Sequence, residues 1–155
     1  MDTKDMEAKD MEARDVEEKD MDDIVKRSHE LRDDPVHHYN CAQAVFIPFA
    51  ERKGLTAEQA NAIAQNFGSG MQTGLTCGAI TGGLMALGLC GAGGPGVAAE
   101  LMRRVGGRHE GRTQCRDLLA AEVRTPGEKK PHCDGMVYEA VEAVEEMLLD
   151  RGITF

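Results

Sequence analysis

Apolar residues recur along this chain with the three-to-four-residue spacing of amphipathic α-helices, and no stretch has the alternation typical of a β-strand. The first such segment begins at Ile24 and ends before Pro35. Six more follow, bounded by caps, glycines or prolines, at 40–52, 56–66, 77–89, 97–105, 113–123 and 131–150. The pattern predicts an all-α fold in which residues 24–155 form one compact multi-helix domain.

Two of these helices have starts that the local sequence specifies. Asn40 is a preferred N-cap residue, and Thr56 opens a capping box, with a glutamine three residues later. Pro48 lies inside the first of the two helices and is expected to kink or split it. In the second helix, Ile63 and Phe67 are expected to face the core beside the alanines of the same segment.

Residues 1–23 have a different pattern, a five-residue repeat of the type Met-Glu-Ala-Lys-Asp. A five-residue period advances about 140° per repeat on a helix, so the methionines would not form one apolar stripe. This segment holds eleven acids against four bases, which is −7 of the chain's −9. It is expected to be an acidic tail, either a solvated helix or disordered, in front of the domain of residues 24–155.

The rest of the chain carries only −2, so no basic face is expected and nucleic acid is not a predicted partner. The acidic N-terminus lacks the apolar stretch of a secretory signal, which predicts a cytoplasmic location. In that compartment, five cysteines are more typical of reactive or metal-binding thiols than of structural disulfides.

Residues 59–99 carry no charge, and the segment 74–94 within them has the length of a membrane span. Eight of its 21 residues are glycine, however, and it lacks aromatic or basic flanks. It is therefore interpreted as a buried Gly/Ala-rich central helix, without membrane insertion. Small-residue helices of this kind are compatible with a homodimer.

The positions of the five cysteines relative to the predicted helices are the main functional signal. Cys41, Cys77, Cys115 and Cys133 each fall within a first helical turn, whereas Cys90 falls at a helix end. Free N–H groups and the helix dipole favour the thiolate at an N-terminus, so these four thiols are expected to have lowered pKa values. Four such helix starts could converge on one site, with the glycines allowing the helices to approach.

The order of these cysteines is similar to that of a known family. The motif Cys-Gly-Ala-x-x-Gly occupies residues 77–82, preceded by Cys41 in Asn-Cys-Ala-Gln-Ala and followed by Cys115 and Cys133. Over residues 24–150 the chain resembles the C-GCAxxG-C-C family of redox-active proteins. The resemblance implies a redox function centred on those four cysteines and marks Cys90 as additional.

Three chemistries remain open. The four thiolates match the ligand count of a [2Fe–2S] electron-transfer centre. Alternatively, Cys77 is the attacking thiol of a thiol–disulfide redox protein and Cys41 is its partner. A structural zinc site with four cysteine ligands is third, because zinc sites usually contain closely spaced ligand pairs that are missing here. The sequence supports the first two hypotheses almost equally, and either one would need a redox partner protein that the sequence does not identify.

Histidines provide two variants of these hypotheses. His37, His38 or His132 lies close in sequence to a cysteine and could replace one thiolate as a metal ligand. A nucleophilic pair of Cys77 with His109 would indicate a hydrolase, which is the least favoured interpretation.

Overall fold

The computed structural model describes residues 3–155, and that part of the chain contains helices and one isolated β-bridge but no strand. The prediction of an all-α fold is confirmed. Short 3₁₀ turns lie at Gln65–Phe67, Gly107–His109 and Pro126–Glu128, and a π turn at Gly70–Gly74. The seven α-helices of the described residues are α1 (Thr3–Asp33), α2 (Cys41–Arg52), α3 (Ala57–Ala64), α4 (Gly78–Leu89), α5 (Pro95–Gly106), α6 (Cys115–Glu122) and α7 (Lys129–Asp150).

Helix α4 is the buried central helix that the charge-free stretch predicts. It packs against α2, α5 and α7, and its buried residues are mainly glycine and alanine, with Ile80 and Leu87. The surrounding core consists of aliphatic, methionine and phenylalanine side chains from α1, α2, α5 and α7. No helix within residues 3–155 combines the length and the apolar character needed to cross a membrane.

Both predicted helix caps are present. The Asn40 Oδ1 atom accepts from the backbone N–H of Gln43 at 2.9 Å, and the Gln43 side chain accepts from the Asn40 N–H at 2.8 Å. Thr56 forms the same reciprocal pair at the start of α3. Pro48 does not split α2, which is a continuous helix from Cys41 to Arg52. Pro48 is itself buried, so packing on several sides holds this helix together despite the missing N–H.

The prediction that Ile63 and Phe67 face the core is wrong. Ile63 is 51% exposed and Phe67 is 36% exposed, whereas Ala60 and Ala64 are fully buried. Helix α3 packs against α2 through these two alanines, which are four residues apart and lie on one face. Phe67 belongs to the following 3₁₀ turn, whose tighter winding changes the direction of its side chain.

The acidic repeat is continuous with the first packed helix. Helix α1 begins at Thr3 and runs through the repeat to Asp33, with Met6 and Met11 exposed. Residues 1 and 2 lie outside the described residues. Among the α1 residues whose burial is described, Ile24, Ser28 and Leu31 are buried. A domain boundary at residue 24 stays a prediction.

Candidate redox site

The four cysteines of the predicted set line one internal cavity of about 30 Å³. They come from α2, α6, α7 and the residue that precedes α4. Cys77 is buried, and Cys41, Cys115 and Cys133 are half-buried. Cys90 does not line this cavity. It lies at the other end of α4, about 20 Å away at the helical rise of 1.5 Å per residue.

Glycines in α4 bring Cys77 close to Cys41. A Cβ atom on Gly82 would lie 2.5 Å from the carbonyl oxygen of Ala42, and one on Gly78 would lie 3.3 Å from the Ala42 backbone nitrogen. The backbones of α4 and α2 are therefore in direct contact next to Cys41. This confirms the expectation that the glycines of the motif allow close approach of the elements that carry the thiols.

Cys77 and Cys115 are held together by backbone hydrogen bonds. The Cys77 N–H donates to the Thr113 carbonyl at 2.8 Å, and the Cys115 N–H donates to the Leu75 carbonyl at 2.6 Å. These bonds flank the isolated antiparallel bridge, so the start of α4 and the start of α6 are fixed side by side. The prediction that both cysteines open helices is supported, with Cys77 as the N-cap residue of α4 and Cys115 as the first residue of α6.

Cys133 does not lie in a first helical turn, contrary to the sequence prediction. Helix α7 begins at Lys129 rather than Pro131, because the 3₁₀ turn of Pro126–Glu128 leads directly into it. Cys133 is thus the fifth residue of α7. It lies beside Cys41, the first residue of α2, and the two thiols shift each other's pKa values.

Arg32 at the end of α1 adds a fixed positive charge beside these two thiols. Its Nε atom donates to Asp134 Oδ1 at 2.6 Å and its Nη1 atom donates to the Tyr39 carbonyl at 2.7 Å. The Lys130 ammonium donates to the other Asp134 oxygen at 2.9 Å. The arginine side chain is only 10% exposed, so these bonds anchor it between α1, the 34–40 connection and α7.

The expectation that four helix dipoles lower four thiol pKa values is wrong for three of them. Burial raises the pKa of Cys77 to about 11, although the N–H groups of Ala79 and Ile80 act in the opposite direction. Burial also raises the pKa of Cys115. The neighbouring Cys133 thiol raises the pKa of Cys41, and so does burial. Loss of water therefore outweighs the helix ends.

Cys133 is the exception. The neighbouring Cys41 thiol lowers its pKa to about 7, against an opposing effect of burial and with further lowering by Arg32 and Lys129. A thiol with this pKa is about half thiolate at neutral pH, and the thiolate is the form that reacts. The site therefore places a thiol of lowered pKa beside a thiol of raised pKa.

The pairing of His109 with Cys77 is wrong, and a histidine that replaces a thiolate ligand stays a prediction. His109 is buried, with Nδ1 at 2.7 Å from Glu122 and Nε2 at 2.6 Å from Glu139. Both ring nitrogens are thus bonded to carboxylates, and His109 does not pair with Cys77. His132 lines the four-cysteine cavity, while His37 bonds Asp34 on the surface.

Sequence reasoning missed three other contributors to the site. Arg32 and Lys129 influence Cys133 but have no local motif, since Arg32 is 101 positions from Cys133 in the sequence (133 − 32). Ser69 lines the cavity from a loop in which it, Met71 and Gln72 all have positive φ values, between 51° and 59°. The only sequence signal for that loop is its glycines, at 68, 70 and 74.

An all-helical fold that gathers four cysteines around one cavity places this chain in the class of helical, cysteine-centred proteins. The family model described as "Putative redox-active protein (C_GCAxxG_C_C)" matches residues 39–147, which is more than half of the chain. The chain belongs to this family, as the cysteine order indicates. A search of curated proteins and a search of solved structures found no match.

Proposed function

We propose that this protein is a thiol–disulfide redox protein in which Cys133 is the attacking thiolate and Cys41 is the resolving thiol. The observation that carries the proposal is the position of these two thiols, one on α2 and one on α7, which are the two of the four cysteines that line both the inner cavity and an outer groove. The pair therefore lies where the two spaces meet. A redox pair needs such a position to meet an external substrate.

The roles within the pair follow from its electrostatics. Cys133 has the lower pKa, since Arg32 acts on both thiols but Lys129 acts on Cys133, and Cys41 retains its proton until a mixed disulfide has formed. This differs from the sequence-based hypothesis that Cys77 attacks. Cys77 is only 5% exposed and its pKa is about 11, which leaves it protonated and shielded at neutral pH.

The proposal is tested by mild oxidation of the fully reduced protein followed by thiol counting and peptide mapping. We expect the loss of two thiols and a disulfide that joins Cys41 to Cys133. Substitution of either residue with serine should abolish it, and Cys90→Ser is the matched control that should leave it unchanged. A disulfide that forms equally well in the Cys133→Ser variant, or no loss of thiols, would overturn the assignment.

A second candidate is a four-thiolate metal centre, either a [2Fe–2S] cluster or zinc, with Cys41, Cys77, Cys115 and Cys133 as ligands. The observation that favours it is that four soft sulfur donors surround one cavity. The donor chemistry fits, but the arrangement does not. Among the described side chains no three His, Cys, Asp or Glu residues are placed to hold a metal ion, and the cavity that the thiols line is only about 30 Å³.

A metal centre would therefore require the four thiols to rearrange around the metal. Anaerobic purification with metal analysis and a visible spectrum distinguishes the candidates. Stoichiometric iron with visible absorption would support the cluster, and stoichiometric zinc would support the structural site. Metal-free protein that loses two thiols reversibly would support the dithiol function.

A further inference from the structure

A groove of about 540 Å³ lies on the outer side of the Cys41–Cys133 pair. The end of α1 and the connection 34–40 form one wall, and the start of α7 forms the other. Its volume is within the range of small-molecule sites, roughly 300–1,000 Å³. Both thiols line the groove as well as the inner cavity, so a molecule bound there would contact the sulfurs directly.

The groove is positively charged where it borders the thiols. Arg32, Lys129 and Lys130 all line it, and Asp134 offsets part of this charge because it accepts from Arg32 and Lys130. Lys129 also lines the inner cavity and acts electrostatically on Cys133. A ligand whose sulfur reaches Cys133 would thus place its neighbouring groups beside cations.

Two acids also line the groove, Asp33 at the end of α1 and Asp34 in the connection that follows it. The Asp34 carboxylate is already engaged, since it accepts from the backbone N–H groups of Val36 and His37 and faces the His37 ring at 3.0 Å. The field close to the thiols is therefore set mainly by the basic side chains.

We propose, resting on the dithiol function above, that this groove binds a low-molecular-weight disulfide that carries carboxylate groups and presents it to Cys133. The Cys133 thiolate attacks one sulfur of the disulfide, the substrate S–S bond breaks, and the first thiolate leaves and takes a proton from water. The Cys41 sulfur then attacks the Cys133 sulfur of the mixed disulfide, whose S–S bond breaks, and the Cys41 proton passes to the second thiolate as it leaves. The disulfide gains two electrons and two protons, and the protein gains a Cys41–Cys133 bond.

The charge preference is tested with three small disulfides of different charge. They are 3,3′-dithiodipropionate with two negative charges, 2-hydroxyethyl disulfide with none, and cystamine with two positive charges. Thiols of different pKa leave at different rates, so each rate constant is normalised by division by that of the same disulfide with a small neutral thiol. The reduced full-length protein is mixed with each, and the second-order rate constant of Cys133 oxidation is measured by quenching and peptide mass mapping. The ratio of the anionic to the cationic rate constant cancels changes in the reactivity of the thiol itself.

We expect the anionic disulfide to have the highest normalised rate constant and the cationic one the lowest. Two unit charges about 4 Å apart in water change a rate constant roughly fivefold, so Lys129→Gln should lower the ratio several-fold. Lys26→Gln removes an exposed α1 charge outside the groove and should leave the ratio unchanged. High salt should reduce the ratio in the wild-type protein, a measurement that needs no variant.

The outcomes separate the groove from the dithiol function. If all three disulfides oxidise the pair at equal normalised rates, or the cationic one is fastest, the groove does not select carboxylates and the dithiol function stands. If none of them oxidises the Cys41–Cys133 pair, the dithiol function is wrong and the groove inference fails with it.

Discussion

Substitution of Gly82 with alanine is the most direct test of how the site is assembled. The new Cβ atom would lie 2.5 Å from the Ala42 carbonyl oxygen, 2.9 Å from its Cα atom and 3.1 Å from its carbonyl carbon. All three are backbone atoms, so no side-chain rotation can relieve the clash. An ordinary contact begins at 3.4 Å, and α2 and α4 would have to separate by about 0.9 Å (3.4 − 2.5).

The expected net effect is destabilising. Overpacking of a well-packed interior costs about 1–3 kcal/mol, and the gain from replacing a helical glycine by alanine is about 0.5–1 kcal/mol. We therefore expect Gly82→Ala to lose about 1–2 kcal/mol in the free energy of unfolding. Gly88 provides the matched control, because it lies in the same helix and a methyl group on its Cα atom would have nothing within 4 Å. Gly88→Ala should stabilise the protein by about 0.4–1 kcal/mol.

Urea denaturation followed by circular dichroism measures both variants, under reducing conditions so that no disulfide contributes. A second readout is the oxidation of the Cys41–Cys133 pair, which should slow in Gly82→Ala because α2 carries Cys41. If Gly82→Ala is as stable as the wild type or as Gly88→Ala, the backbones of α2 and α4 are not in close contact at this position, and the explanation of the glycine motif fails.

Three further predictions concern charge. The rate of alkylation of Cys133 by iodoacetamide should rise with pH through a midpoint near 7, while Cys77, with a pKa of about 11, should remain unreacted at pH 8. Peptide mapping measures the labelling of both cysteines, and equal labelling would refute the difference in pKa. Arg32→Gln should raise that midpoint and destabilise the fold by about 1.5–3 kcal/mol, the value of a hydrogen bond to a charged group; an unchanged midpoint in the same labelling series would contradict it. Burial lowers the pKa of His109, but the bonds of its ring to Glu139 and Glu122 raise that pKa on balance. Protonated His109 therefore stabilises the folded protein fully below the ordinary histidine pKa, and this stabilisation is lost as pH rises through the raised value. The difference in the free energy of unfolding between wild type and His109→Gln, measured in urea, should therefore shrink from pH 6 towards pH 9. A difference that does not change with pH would show that protonated His109 does not stabilise the fold.

Local sequence predicted the parts of the fold that local chemistry determines. The starts of α2 and α3 follow from Asn40 and Thr56, whose side chains satisfy N–H groups within three residues. The start of α7 was missed because a 3₁₀ turn and an α-helix join without a break there, and Pro131 is compatible with any position in a first turn. Ile63 was misplaced because its exposure depends on which face of α3 meets α2, a tertiary choice that the helical period alone does not make.

For the site, the sequence predicted which cysteines line one cavity but not which of them has a lowered pKa. The set of Cys41, Cys77, Cys115 and Cys133 follows from their order in the chain, and it does line one cavity. Which of them is the thiolate depends on contacts between residues far apart in the chain. The effect of the Cys41 thiol on Cys133 and the charge of Arg32 both come from elements that only the tertiary fold brings together.

The glycines that assemble the site also explain why helix dipoles do not set the pKa of Cys77. A charge at a helix terminus gains about 0.3–1 kcal/mol at an exposed position, which is less than one pKa unit. Burial shifts a pKa by up to about 3–5 units in the opposite direction. Gly78 and Gly82 let α4 approach α2 so closely that water is excluded from Cys77, and burial is the larger effect there. The pKa of Cys133 is lowered instead, because the Cys41 thiol, Arg32 and Lys129 together outweigh the effect of burial there. Close packing therefore keeps the Cys77 thiol protonated at neutral pH, and the thiol of lowered pKa, Cys133, lies at the edge of the cavity beside the cations.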